Sequence, residues 1–383
     1  MANIAVQEQT NNVQHILSTI IDKGPVTKKE IQAITGLSWG LISEKTNKLL
    51  EEKYIVSSVR KTVGVGRKTE EFDVNSNRNC IIGLEISYRR INIVVTDMKG
   101  RVLEQEVAEF EPEHREYDYV KNEMLLLIDK YYNKYQHINI LGIGVAIQGV
   151  VDFMQGVSVR INRIKDWKDV PIKKMIEDKY GINVIVEHDP DCLMKSECGI
   201  GALRNSTYQE ILMVSISHAI GVATAISING SVYKGHKGMA GEIGKSVIGD
   251  GKSGYELLEN HITREGIISD YEEMFHEKKR FSQIENGALE KDEKCVALLT
   301  KLAEYVGVTI AEAGNLLNPD IIIVNTRECK CQELIFEEIK KAVKNICWDE
   351  EVKVILSKLD DNAIAVGAAL TVIESELSKI GKW

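Results

Sequence analysis

Apolar residues recur at helical spacing three times within the first fifty positions, and at strand spacing through much of the remaining chain. Val13, Ile16, Leu17, Ile20 and Ile21 share one face of a helix over 12–22, which Gly24-Pro25 stops. Thr27 with Glu30 three residues on has the form of a capping box; it opens a second helix with Ile31 and Ile34 as its inner stripe, ending at Thr35-Gly36. A third helix is predicted over 38–52, with Leu41, Ile42, Leu49 and Leu50 turned inward. After Tyr54-Ile55-Val56, the run Arg60-Lys-Thr-Val-Gly-Val-Gly-Arg-Lys68 and then Phe72-Asp-Val74 read as a hairpin with a basic, glycine-rich tip. Three helices followed by a basic hairpin make a winged helix-turn-helix.

The pattern then changes to α/β. Cys80 to Asp97 reads as a strand, a tight connection and a second strand, followed by the turn Met98-Lys-Gly100; Asn139 to Val151 is another strand. Val184 to Asp191 is a buried strand that ends on acids and feeds a helix from Cys192, and such a strand end is where open α/β sheets bind ligands. Ile211 to Gly230 predicts two strands joined by a short turn. Behind them, Gly235-His-Lys-Gly-Met-Ala-Gly-Glu-Ile-Gly244 places four glycines and one carboxylate, Glu242, in ten residues. That backbone turns tightly and approaches something small.

Composition narrows the class. A chain of 383 residues holds two or three domains; 44% hydrophobic and 27% charged residues with five prolines exclude disorder. No apolar run nears the ~18 residues of a membrane span, and Met1 to Gln14 lacks the form of a secretory signal, so the reading is a cytoplasmic protein. Seven cysteines without Cys-x-x-Cys spacing fit reduced thiols rather than disulfides or zinc. The net charge of −9 disfavours nucleic acid until it is divided. Residues 1–78 carry 11 Lys+Arg against 9 Asp+Glu, whereas the remainder carries 37 against 48. Contact with double-stranded DNA is therefore expected from the first part alone. Ser38, Trp39, Ser43 and Lys45 of the third helix would enter the major groove, with Arg60, Lys61, Arg67 and Lys68 on phosphates or in the minor groove. The bland alternative is a helical packing module with a solvated basic loop. Gly249-Asp-Gly-Lys-Ser-Gly254 ends like a phosphate-binding P-loop, but Ser246 stands where its first glycine is required.

These segments together resemble the ROK family of repressors, open reading frames and kinases, over nearly the whole chain. The resemblance rests on Gly235 to Gly244, on Gln148-Gly-Val-Val-Asp152, on the spacing of Asn162, Trp167 and Pro171, on Glu187-His-Asp189, and on Gly314-Asn-Leu-Leu-Asn-Pro319. It implies a two-lobed actin-like body of the sugar kinase and Hsp70 type behind the winged helix-turn-helix. The domains would be 1–78, then 79–190 with the C-terminal helix 363–383, then 191–362. It also implies a sugar-effector site of Asn162, His188, Asp189, Glu242, Lys245 and Glu256, with Glu259 competing for the last place. Asp189 matches the family's kinase base.

Three nucleotide elements depart from the kinase pattern. Glu85-Ile-Ser-Tyr-Arg89 stands for Asp-x-Gly-Gly-Thr, Ser217-His-Ala-Ile-Gly221 for Gly-Thr-Gly-Ile-Gly, and Asn325-Thr326 for a glycine pair. Lys245 occupies the place of a zinc-binding histidine, and no cysteine lies between Cys198 and Cys295. The resemblance thus points to a transcriptional repressor that binds operator DNA as a homodimer or homotetramer under sugar control. It has no catalytic residue, metal or cofactor and no membrane partner. The alternatives are an ATP-dependent sugar kinase and a body that serves only to dimerise.

Overall fold

The computed structural model describes residues 2–60, 69–217, 221–249 and 255–380, with backbone alone for residues 2–11 and Arg60. The first elements are α1 (Ala2–Lys23), β1 (Val26–Thr27), α2 (Lys28–Thr35), α3 (Trp39–Glu51), β2 (Ile55–Arg60) and β3 (Thr69–Val74). The capping box forms as expected: Glu30 N donates to Thr27 Oγ1 at 3.2 Å, and Thr27 N donates to Glu30 Oε2 at 2.7 Å. Gly36, with φ 69°, closes α2 in the left-handed conformation that glycine adopts freely. β2 and β3 pair antiparallel from Ile55 opposite Val74 to Arg60 opposite Thr69. β1 adds a third strand beside β3. Two residues are too short for an alternating pattern, so nothing in the sequence announced it.

Next come β4 (Asn79–Ile86), β5 (Arg90–Thr96), β6 (Val102–Glu109), α4 (Tyr117–Tyr135), β7 (Asn139–Ile147), β8 (Val150–Asp152), β9 (Val157–Arg160), α5 (Ile172–Tyr180), β10 (Val184–His188) and α6 (Asp189–Gly199). Their main sheet runs β10-β7-β4-β5-β6, with β4, β5 and β6 antiparallel and β7 and β10 parallel to β4.

The second half contains β11 (Ile211–Ser217), β12 (Gly221–Ile228), β13 (Ser231–Val232), β14 (Val247–Ile248), β15 (Glu256–Leu257), α7 (Leu258–Ile262), α8 (Arg264–Phe275), α9 (Phe281–Leu289), α10 (Glu293–Leu317), β16 (Ile321–Asn325), α11 (Gln332–Ile346) and β17 (Lys353–Leu356). Its sheet, β13-β12-β11-β16-β17, repeats the first: a three-strand antiparallel meander, then two parallel strands. This duplicated order makes the body a mixed α/β, actin-like fold.

The last helix, α12 (Ala363–Ile380), returns to the first sheet. A Cβ on Gly144 would lie 1.9 Å from the Ala368 carbonyl oxygen, and one on Gly367 1.8 Å from that of Cys192, so α12 rests backbone to backbone on β7 and on α6. The chain accordingly divides into two compact units: unit 1 runs to Ile200 and resumes at Asp360, and unit 2 is Gly201–Leu359. This corrects the expected boundary at 190–191, which would cut α6 in its first turn. Nor is 1–78 a separate unit. Val13, Ile16, Leu17 and Ile20 of α1 share one core with Ile81, Met98 and Leu141 and with Val372, Ile373 and Ile380 of α12. No helix among the described residues is long and apolar enough to cross a membrane.

Candidate functional site

The helix pair α2–α3 leaves one face of α3 open. Ser38 is the N-cap, its hydroxyl accepting from Leu41 N at 3.4 Å. Trp39 is 53% exposed and Gly40 has open space around it. Ser43 is half-buried on the same face, and Glu44 and Asn47 are exposed. Lys45 departs from the expectation. It is only 8% exposed, lies on the buried side of α3 with Ile42, Thr46 and Leu49, and pairs with the Glu44 carboxylate at 2.9 Å. Its place on the open face is taken by Asn47, which the spacing of Trp39, Ser43 and Asn47 would have revealed. Arg60 ends β2, while Lys61, Arg67 and Lys68 lie outside the described residues.

In unit 1 the acid-bearing strand end forms as expected. β10 ends on His188, the N-cap of α6, and Asp189 and Asp191 occupy the first turn of that helix. Carboxylates there are favoured by the helix dipole. His188 Nε2 lies 3.5 Å from Asp189 Oδ1, both side chains retaining some exposure. Asn162 is exposed in the loop after the β8–β9 hairpin. Trp167, in the same loop, is buried and donates from Nε1 to Ser158 Oγ at 2.8 Å, which anchors that loop to β9.

In unit 2 the glycine-rich segment lies along β12. Gly241, at φ +88°, has its carbonyl bonded by Thr224 Oγ1 at 2.6 Å, and a Cβ would collide with that hydroxyl. Glu242 follows. Loss of water around the charged form raises its pKa, with Lys245 opposing and Glu259 adding. Lys245 forms an ion pair with Glu259 of α7. Glu256 instead belongs to a second cluster, 3.4 Å from His261 Nε2, whose Nδ1 lies 2.9 Å from Asp270. The geometry therefore groups Glu259, not Glu256, with Lys245 and Glu242. The sequence offered both because they lie three residues apart on either side of the start of α7. Among the described residues, no group of three or more His, Cys, Asp or Glu is arranged to hold a metal. An ammonium paired to a carboxylate at position 245 does not fit one.

The β4–β5 connection, where the resemblance puts a phosphate loop, is closed upon itself. Ser87 N donates to Arg90 O at 3.0 Å, Tyr88 N to Gln148 Oε1 at 3.2 Å, and Arg89 N and Arg90 N to Ser87 Oγ at 3.3 and 3.1 Å. All four successive amides are used within unit 1. The Tyr88 ring is buried, with the Arg115 and Arg163 guanidiniums 5.2 and 5.4 Å from its centroid. Of the other two nucleotide elements, Asn325 and Thr326 are buried at the end of β16, whereas His218 lies outside the described residues.

Comparison with known proteins places these features. The chain is 25% identical to the xylose repressor of Caldicellulosiruptor bescii across 99% of both chains. A crystal structure of a ROK family transcriptional regulator, a homologue of the Escherichia coli Mlc protein, superposes with a TM-score of 0.81 over 98% of each chain at 19% identity. The ROK hexokinase of Thermus thermophilus superposes with a TM-score of 0.66 at 22% identity, covering 78% of this chain and 99% of its own. The kinase-type body is thus found in a shorter protein. With the sequence pattern of that family matching residues 81–375, the body described above assigns the chain: it belongs to the ROK family.

Proposed function

We propose that the protein is a sugar-responsive transcriptional repressor, and the observation that carries this reading is the open face of α3 on a winged helix-turn-helix joined to a ROK body. Trp39, Ser43, Glu44 and Asn47 meet base edges in the major groove, Asn47 being suited to the bidentate contact that amides make with adenine. Lys45 is left out of this set because its side chain packs on the buried side of α3, its ammonium reaching out only to the exposed Glu44 carboxylate. Arg67 and Lys68 neutralise phosphates. Replacing both with Ala should weaken binding to every duplex and flatten the dependence of log K on log salt by up to about 2 units. Fluorescence anisotropy against a duplex selected from a random pool measures it, and an unchanged slope removes the wing from the interface.

The effector is a polyhydroxylated ligand; Asn162 and Asp189 are its candidate contacts in unit 1, and Glu242 and Glu259 are, separately, the candidate contacts that unit 2 offers. Carboxylate acceptors with an amide that both donates and accepts suit several hydroxyls at once. The relative's name makes D-xylose the first probe, followed by other pentoses, hexoses and their phosphates. A sugar bound by the native state raises the melting temperature. Asp189→Ala and Glu242→Ala are each expected to abolish that rise and the accompanying release of DNA.

The rival reading is a sugar kinase, favoured by Asp189 standing at the base position. Against it, phosphoryl transfer depends on positioning, and the amides of residues 87–90 already have partners. Sugar-dependent ATP turnover at about 1 per second or faster would establish the enzyme instead.

A further inference from the structure

The turn between β5 and β6 is buried and carries charges. Asp97 is 1% exposed and Lys99 6%. Asp97 Oδ1 accepts from the amides of Lys99 and Arg101 at 2.8 and 3.0 Å, which holds the turn rigid. From it, the Lys99 ammonium donates to the Gly24 carbonyl at 2.6 Å and pairs with Asp73 Oδ1 at 2.6 Å. Gly24 follows α1 and Asp73 lies in β3, so one ammonium joins the body to two separate elements of the winged helix-turn-helix. Beside it, Ser76 Oγ donates to Asp97 Oδ2 at 2.9 Å. Lysine is almost never fully buried unless it is paired, as it is here.

The other side of the same turn touches the end of α6, the helix that starts at Asp189, and the side of α12. A Cβ on Gly100, at φ +73°, would lie 3.2 Å from Ile200 and from Leu370 and 3.5 Å from Val366. Ile200 caps α6, whose first residue is Asp189. At about 1.5 Å per residue, α6 reaches roughly 16 Å from that carboxylate to the turn. Leu370 and Val366 belong to α12, which is seated against α6 without intervening side chains at Gly367, and which packs on α1 through the core of Val372, Ile373 and Ile380. Such a contact lets two helices shift only together.

We propose that Lys99 is the coupling residue between effector and operator. Its ammonium holds the winged helix-turn-helix in the DNA-competent orientation, and α6 with α12 carries occupancy at Asp189 to the turn that bears it. This rests on the reading of Asp189 as an effector ligand. Lys99 is buried and bonds Gly24 and Asp73, which belong to neither the candidate effector set nor the candidate DNA contacts, so it acts by positioning, as a coupling between the two affinities.

The experiment uses the full chain, the selected duplex, and D-xylose with the other sugars of the panel as probes. Operator Kd is measured with and without saturating sugar, and sugar affinity separately by thermal shift. Effectors of this type change affinity about 5- to 150-fold. Lys99→Met is expected to bind sugar as the native chain does, yet to bind DNA without sugar as weakly as the sugar-saturated native chain, with less than a twofold further change on adding sugar. Lys99→Arg should restore most of the response. Asp73→Asn, which keeps an oxygen toward Lys99 and removes only the charge, should reduce the response at least threefold and stands in should Lys99→Met not fold. Lys130→Met, which breaks the exposed pair with Glu106, is the control and should change nothing. A native response retained in folded Lys99→Met, or in Asp73→Asn should Lys99→Met not fold, overturns the coupling while leaving the repressor reading intact. A native chain whose DNA affinity no sugar alters overturns both.

Discussion

Gly367→Ala is expected to melt about 6–12 °C below the native chain. The added methyl would lie 1.8 Å from the Cys192 carbonyl oxygen, with the carbonyl carbon at 2.4 Å. Neither atom belongs to a side chain that can rotate away, so α6 and α12 must separate. Overpacking of this kind costs about 3 kcal/mol, and each kcal/mol lowers the midpoint of a cooperative unit the size of unit 1 by about 2–4 °C. Differential scanning calorimetry measures it. Gly36→Ala provides a contrast: nothing lies within 4 Å of that position, and its penalty comes only from the left-handed φ of 69°. A Gly367→Ala chain that melts with the native one would mean that the two helices are not in backbone contact.

A chain starting at residue 79 is expected to be less stable still, and to bind hydrophobic dyes in its folded state. The hexokinase likeness covers 78% of this chain and nearly all of the kinase, so such bodies occur without a winged helix-turn-helix. In this chain the body shares a core with α1. Removing residues 1–78 takes away the N-terminal half of the core that includes Ile81, Met98, Leu141, Val372, Ile373 and Ile380. Re-exposing a buried aliphatic side chain costs about 1.5–3 kcal/mol. Even four such losses amount to about 6 kcal/mol or more, against a total stability of about 5–15 kcal/mol. Lys99, without Asp73 and Gly24, adds an unpaired charge to the uncovered face. Urea unfolding compares the two chains. A truncated chain as stable as the full one, and silent toward dye, would show that the two parts only touch.

Where the sequence is legible, the interaction is local. The capping box of α2 spans three residues, and the inward stripe of α1 follows from helical spacing alone. The β4–β5 pair and the acid-bearing end of β10 are equally readable from runs bounded by turns. The family and its actin-like body follow from short motifs, each fixed by a backbone conformation that few residues adopt.

Other positions depend on contacts across the chain. Charge is usually solvated, which points Lys45 toward DNA, but its position on α3 faces the buried side. Glu256 and Glu259 are interchangeable as letters; the seating of α7 near Gly244 puts Glu259 within reach of Lys245. The division at 190–191 fails because α6 belongs with α12, a helix that begins some 160 residues later and can approach only because position 367 lacks a side chain. By itself the sequence determined the elements with a clear period, the cap of α2 and the family, since these depend on residues within about a turn of one another. Only the tertiary structure decided which charges are buried, which acids share a neighbourhood and that the N-terminal helices share a core with the body. Those outcomes depend on pairs such as Lys99 and Asp73, or Cys192 and Gly367, which the folded backbone brings together and no local pattern marks.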